Sequence, residues 1–140
     1  MSYCTLNDLT ENLTEQILAQ LSNDVTPSVV NNDLITQFIT DGSSLIDSYL
    51  RGRYVLPLTN THILLKKLCI ELVKYELYKR RNILTETITT IYKDTINILE
   101  KLQKGIIILD EGTSETRPSF FTSTDQVSVY PTNAITNYLK

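Results

Sequence analysis

Hydrophobic and polar residues alternate along the first 25 residues with the period of short helices. Thr5 followed by Asp8 forms a capping-box pattern in which Asp replaces the usual Glu, so we predict a helix over about 6–11. Thr14 is the expected cap of a second short helix. The inner face of this second helix carries Ile17, Leu18 and Leu21.

A longer amphipathic helix is predicted to begin at Thr26-Pro27, since Thr is a good N-cap and Pro suits the first helical position. It should continue to about Arg51, and weak helix formers near Gly42 allow a kink. The residues predicted to face inward are Leu34, Phe38, Leu45 and Tyr49, supported by Ile35, Ile39 and Ile46.

Two further helices follow. Thr61 should cap a helix from His62 to about Arg81, which is apolar at eleven of sixteen positions over 63–78 and is therefore predicted to be central. The last helix begins at Thr85-Glu86 and ends at Gly105. Its predicted seam consists of Ile88, Ile91, Thr95, Ile98 and Leu102.

Residues 41–58 form the corner between the third and fourth helices. Gly52 is predicted to end the third helix in the left-handed conformation. Pro57 disfavours the helical state at Leu56, so residues 53–58 should run extended. After Gly105, the β-branched run 106–109 predicts a short strand with unpaired edges.

The fold class predicted from these patterns is mainly α. We expect a compact bundle of about four to five helices over residues 1–109, with a short β-strand, and an extended C-terminal arm over residues 110–140. Ten of the last 31 residues are Ser or Thr, with isolated aromatic residues between them. We expect the arm to lie across a neighbouring subunit or partner and to use its aromatic residues as anchors.

Residues that support catalysis or metal binding are scarce. The chain has two cysteines and a single histidine, His62, too few for a Cys/His zinc cluster from this chain alone. We find no Gly-rich phosphate loop and no nucleophile elbow, so we expect neither an enzyme nor a cofactor. Without a signal peptide, Cys4 and Cys69 are interpreted as free thiols rather than a disulfide. No apolar run reaches the roughly 20 residues that cross a bilayer, and membrane association is not expected.

Charge is unevenly distributed behind the net value of −3. Residues 1–50 carry seven acidic and no Lys or Arg residues, whereas residues 51–104 carry eleven basic and five acidic residues. Either helix surfaces merely differ, or the acidic and basic parts of neighbouring copies meet head to tail. Two interpretations of Lys79-Arg80-Arg81 also stay open. The triplet suits the negative end of a helix dipole, or it could contact phosphate.

Two motifs resemble a known family. The first is Tyr-x-Thr-Leu-x-Asp-Leu at residues 3–9, and the second is Leu-Ile-Asp-x-Tyr-Leu-x-Gly-Arg-Tyr-x-Leu-Pro-Leu at residues 45–58. Together they resemble the phage Mu-type head-to-tail connector (head completion or adaptor) family of tailed phages. The likeness covers about residues 3–109, and the run at 52–58 is its most specific part.

The resemblance implies a structural virion protein that forms a ring of about a dozen copies under the portal. Its expected partners are further copies of itself, the portal protein, a neck or tail-terminator protein and passing double-stranded DNA. Its expected location is the neck of the virion, after assembly in the host cytoplasm. The candidate protein contacts are Arg51, Arg53, Tyr54, Leu56, Leu58, Phe120, Phe121, Tyr130, Ile135 and Tyr138. The candidate lumen residues facing DNA are Lys79, Arg80 and Arg81.

Two other classes of function stay open at this point. A small helical adaptor would be a stable monomer or dimer that binds one peptide. A DNA-binding regulator would bind duplex DNA in a salt-dependent way, although the apolar residues of the 62–81 helix occupy the faces that would read a groove.

Overall fold

The computed structural model describes residues 2–110, while Met1 and residues 111–140 lie outside the described part. Five helices form the fold, which confirms the mainly α prediction. They are α1 (Leu6–Asn12), α2 (Glu15–Ser22), α3 (Asn32–Leu50), α4 (Ile63–Arg80) and α5 (Glu86–Lys104). Residues 2–110 contain no strand, so the strand predicted at 106–109 is not confirmed there. The predicted arm lies outside the described residues.

Local capping signals determine where three of the helices begin. The capping box of Thr5 and Asp8 is present at α1, with the Asp8 carboxylate accepting from the Thr5 N–H at 2.8 Å. Thr14 caps α2 and Thr85 caps α5 through their side-chain oxygens. These three starts were predicted from residues that lie within one turn of each other.

The predicted start of α3 at Thr26-Pro27 is wrong. Asn23 organises a loop there, because its Oδ1 accepts from the N–H groups of Val25 and Thr26 and its amide donates to the Val29 carbonyl. The helix begins five residues later, where the Asn31 side chain accepts from the Leu34 N–H at 3.2 Å. A side-chain amide that bonds the backbone locally thus competes with the Thr-Pro signal.

The corner between α3 and α4 also differs from the prediction. The cap of α4 is His62, not Thr61, and makes no side-chain capping bond. Gly52 does not take the left-handed conformation, which Gly105 alone adopts among the described glycines. Residues 53 and 54 both donate to the Leu50 carbonyl, so the chain continues in a turn rather than running extended. The Leu56–Pro57 peptide bond is cis.

Helices α3, α4 and α5 pack as a bundle in which each contacts the other two, and α2 also contacts α4. Near its middle, α3 places Gly42 against Cys69 and Leu72 of α4. The rings of Tyr75 and Tyr92 stack with centroids 3.9 Å apart and so join the second half of α4 to the first half of α5. The central position of α4 is confirmed by its buried residues, which are Leu65, Leu68, Cys69, Ile70, Leu72, Val73 and Leu77.

The inward faces of α3 and α5 are rotated from the predicted stripes. The buried residues of α3 are Ile35, Ile39, Gly42, Ser43, Ile46 and Leu50, while the predicted Leu34, Phe38, Leu45 and Tyr49 are only half-buried. In α5, Thr95 and Leu102 are buried as predicted, Leu99 is buried in addition, and Ile91 is exposed. The rotation follows from packing, because α1, α2, α4 and α5 all contact α3 and share its surface.

Candidate interaction surfaces

The Gly-Arg-Tyr corner motif holds the end of α5. Gly105 closes that helix at φ 77°, and a side chain there would meet the guanidinium of Arg53. The Tyr54 hydroxyl accepts a hydrogen bond from the Leu109 N–H at 2.9 Å. Two residues predicted to contact other proteins, Arg53 and Tyr54, therefore make structural contacts inside the chain.

The other corner candidates lie at different depths. Leu58 is buried in the core and Leu56 packs against it, so neither presents a free apolar surface. Arg51 is exposed and lies at the end of α3. Among the five corner candidates, Arg51 is thus the one that the fold leaves outward.

Beside this corner the chain exposes an apolar surface that the sequence prediction missed. Val55 is 78% exposed and Ile106 is 69% exposed, and Ile108 is exposed as well. The bond between Tyr54 and Leu109 brings these two chain segments together. We call Arg51, Val55, Ile106 and Ile108 the corner surface. In the sequence, the apolar run at 106–109 was the feature that could have indicated this surface.

A second apolar surface lies at the other end of the bundle. Val25 is 90% exposed, and Val29, Ile83 and Leu84 are exposed in the same pair of loops. These four residues form the loop surface. Because α4 has 18 residues, the loop surface and the corner surface lie roughly 27 Å apart along the bundle axis.

Two arginines of the basic triplet join the loops at this end. Arg81 donates to the carbonyls of Gln20 and Asn23, both at 2.6 Å, and its Nη1 lies 3.1 Å from Asp24. Arg80 pairs with Asp24 and donates to the Leu21 carbonyl at 3.2 Å. They therefore supply positive charge at the C-terminal end of α2, where the helix dipole is negative.

Lys79 differs from its two neighbours. Its side chain is exposed, with its ammonium 4.0 Å from Glu76 on the same helix and 5.8 Å from the Tyr75 ring. Of the three residues predicted to face DNA, Lys79 is thus the one whose ion pair lies within α4, whereas Arg80 and Arg81 bond the end of α2 and the loop after it.

Some of the acidic residues in the first part of the chain form ion pairs with basic residues in the second part. Lys66 of α4 lies 2.6 Å from Asp8 of α1. The Lys66 ammonium, together with bonds from Thr5, lowers the pKa of the Asp8 carboxyl below its ordinary value of 3.8. With the pairing of Asp24, the acidic first part of the chain is joined to the basic part at two places.

An apolar groove lies between α1, α4 and α5, with a volume of about 730 Å³. Its apolar lining includes Ile63, Leu64, Ile91 and Ile98, and charged residues border it. A smaller cavity of about 260 Å³ lies beside Gly42, Leu72 and Tyr92. Within residues 2–110 no group of three or more His, Cys, Asp or Glu residues is arranged to hold a metal ion.

Over the same described range, no helix is long and apolar enough to cross a membrane. The remaining candidate contact residues belong to the arm and lie outside the described residues. They are Phe120, Phe121, Tyr130, Ile135 and Tyr138.

Comparison with known proteins identifies the family. The family model described as "Bacteriophage Mu, Gp36" matches residues 3–126. Gene product J of Escherichia phage Mu is 37% identical over 106 residues, which cover 75% of this chain and 74% of that protein. The Mu-like prophage FluMu protein gp36 of Haemophilus influenzae is 34% identical over 107 residues, covering 76% and 74%. The chain therefore belongs to the bacteriophage Mu Gp36 family.

Proposed function

We propose that this chain is a structural virion protein, a head-to-tail connector that forms a ring of about a dozen copies beneath the portal. In this role it joins the DNA-filled head to the neck or tail. The observation that carries the proposal is the presence of two separate apolar surfaces at opposite ends of the helical bundle. Membership of a phage Mu family supports the viral setting.

A connector needs two different contact surfaces, because it meets one partner above and another below. Apolar side chains exposed together mark such sites on soluble proteins. The corner surface combines apolar residues with the exposed Arg51, whereas the loop surface lies beside the paired Arg81 and Asp24. We assign one surface to the portal protein and the other to the neck or tail-terminator protein.

The basic triplet fits a lumen through which double-stranded DNA passes without sequence-specific binding. Arg80 and Arg81 are engaged by Asp24 and by backbone carbonyls, which reduces the positive charge available to phosphate. Strong phosphate contacts would hold DNA in place and slow its passage. We therefore propose Lys79 as the principal cation facing the DNA.

Light scattering on the purified full-length chain, alone and mixed with a portal ring, tests the connector role. We expect the free chain to become a ring-sized species on the portal or at high concentration. A chain that stays monomeric in both conditions would contradict the role. Salt-dependent duplex binding would instead favour a DNA-binding regulator, and monomeric binding of one peptide would favour a helical adaptor.

Surface variants sharpen this experiment. Val25→Ser with Val29→Ser changes the loop surface, and Val55→Ser with Ile106→Ser changes the corner surface. All four side chains are exposed, so thermal unfolding should be nearly unchanged. We expect one pair to abolish portal binding and the other to leave it intact. Equal binding by both variants would contradict the assignment of the two ends.

A further inference from the structure

The two cysteines of the chain meet in the core. Cys4 lies in the short segment before α1, and Cys69 lies in the middle of α4. Their sulfur atoms are 3.1 Å apart, and both side chains are almost fully buried. A disulfide has an S–S distance of about 2.05 Å, so the sulfurs need to approach by only about 1 Å to form the bond.

Hydrogen bonds give the two thiols different roles. The Cys4 thiol donates to the Cys69 sulfur, which lowers the pKa of Cys69 and raises the pKa of Cys4. Ser43 lies 3.7 Å from the Cys69 sulfur, and its hydroxyl oxygen accepts from the Tyr3 N–H at 3.1 Å. In the docked state Cys69 is therefore the thiol with the lower pKa.

We propose that Cys4 and Cys69 form a reversible intramolecular disulfide when the chain meets a small-molecule disulfide, and that this bond ties the N-terminal segment to α4. Nothing in this inference depends on the connector role. The co-reactant is a low-molecular-weight disulfide of the glutathione type.

The reaction begins with a local opening, because neither sulfur is accessible in the docked state. Residues 2–5 precede α1 and dock through the buried side chains of Tyr3 and Cys4, with Tyr3 bonded to Ser43 and to the Asp47 carboxylate. Lifting this segment exposes Cys4 while Cys69 stays in the middle of a packed helix. The Cys4 thiolate then attacks the small disulfide, forms a mixed disulfide and releases one thiolate.

Redocking completes the exchange. It returns the Cys4 sulfur to the Cys69 thiolate, which forms the protein disulfide and displaces the second small thiolate. In total, two protein thiols are oxidised and lose two protons. One small disulfide gains two electrons and those two protons and becomes two small thiols.

The bond closes a loop between residues 65 positions apart. Restricting a loop of this length in the unfolded chain should raise the unfolding temperature by on the order of 10 °C. The expected consequence is a chain whose N-terminal segment no longer opens under oxidising conditions.

Incubation of the reduced full-length chain with oxidised glutathione, followed by intact mass and thermal unfolding, tests the proposal. We expect the loss of two hydrogen atoms in a monomeric product and a rise in unfolding temperature, both reversed by dithiothreitol. An unchanged mass, a stable glutathione adduct on the native chain or a disulfide-linked dimer would overturn it.

Two single variants test the order of events. Cys69→Ser should stop at one glutathione adduct on Cys4, because the resolving thiol is missing. Cys4→Ser, which keeps Cys69 buried in α4, should remain unmodified under native conditions. Circular dichroism checks that the Cys4→Ser chain is folded. If glutathione then modifies its Cys69 as fast as it modifies Cys4 in the Cys69→Ser chain, the proposed opening step is overturned.

Discussion

The guanidinium of Arg53 occupies the space into which a side chain at Gly105 would project. Residue 105 is favoured as glycine by its left-handed backbone, and an added side chain would also displace the end of the Arg53 side chain. This contact joins the corner after α3 to the end of α5. The arginine of the Gly-Arg-Tyr motif therefore lies against the end of α5 instead of extending into solvent.

Gly105→Ala should destabilise the chain. A non-glycine residue at a left-handed position costs about 1–2 kcal/mol, and displacement of the Arg53 side chain adds to this. Urea denaturation measures the change. Gly52→Ala is the matched control, because nothing lies within 4 Å of an added Cβ and its φ is not positive. In an Arg53→Ala background, Gly105→Ala should lower the free energy of unfolding by less than it does in the native chain. An equal decrease in both backgrounds would exclude a contribution from the arginine contact.

Arg81→Ala should lower the free energy of unfolding by about 2 kcal/mol, because hydrogen bonds from a charged donor to two carbonyls are lost. Lys79→Ala removes a neighbouring charge without touching these contacts and should stay within about 0.5 kcal/mol of the native chain. Chemical denaturation of both variants makes the comparison. Equal losses would indicate that net charge, not the α2 contacts, matters at this end.

Gly42→Ala should stabilise the chain by about 0.5–1 kcal/mol, although Gly42 is buried where α3 meets α4. An added Cβ would lie 3.7 Å from the Cys69 sulfur and from the Leu72 Cβ, which are ordinary contacts. Thermal unfolding provides the measurement. Gly42→Val should be destabilising, since its branches extend beyond these contacts. A loss with alanine would mean that the helices cannot accommodate a single methyl group.

The ion pair between Asp8 and Lys66 predicts a specific loss of stability in acid. Since folding lowers the pKa of Asp8, its contribution is present above the unfolded value of 3.8 and is lost as pH falls through the folded pKa. Asp8→Asn should therefore lose less stability than the native chain between neutral pH and about pH 3. Urea midpoints at both pH values measure this. Asp94→Asn, an exposed carboxylate on α5, should follow the native chain.

Arg51→Glu tests charge in assembly without disturbing the fold, because Arg51 is exposed whereas Arg53 packs on Gly105. We expect unchanged thermal unfolding and weaker binding of the partner that meets the corner surface, with the larger defect at low salt. Light scattering across a salt series measures it. Lys93→Glu on the exposed face of α5 has the same change in charge and should have a smaller effect. An Arg51→Glu defect independent of salt would exclude an electrostatic role for this residue.

Features determined by neighbouring residues were predictable from sequence. The α1 capping box, the caps at Thr14 and Thr85 and the end of α5 at Gly105 depend on groups within one turn of each other. The central position of α4 followed from its apolar composition. The start of α3 was predicted wrongly for a local reason. Thr26-Pro27 is a helix-start signal, but the side chain of Asn23 bonds the backbone of Val25 and Thr26 and holds a loop there instead.

The sequence by itself thus determined where α1, α2 and α5 begin, since these starts depend on bonds between residues three or four positions apart. The tertiary structure alone decided which side chains meet: Arg53 with Gly105, Arg81 with Asn23 across 58 positions, and Cys4 with Cys69 across 65. It also decided which apolar residues stay outside, as Val55 and Ile106 do. The physical reason is that these pairings depend on how helices share buried surface, and that competition involves the whole bundle.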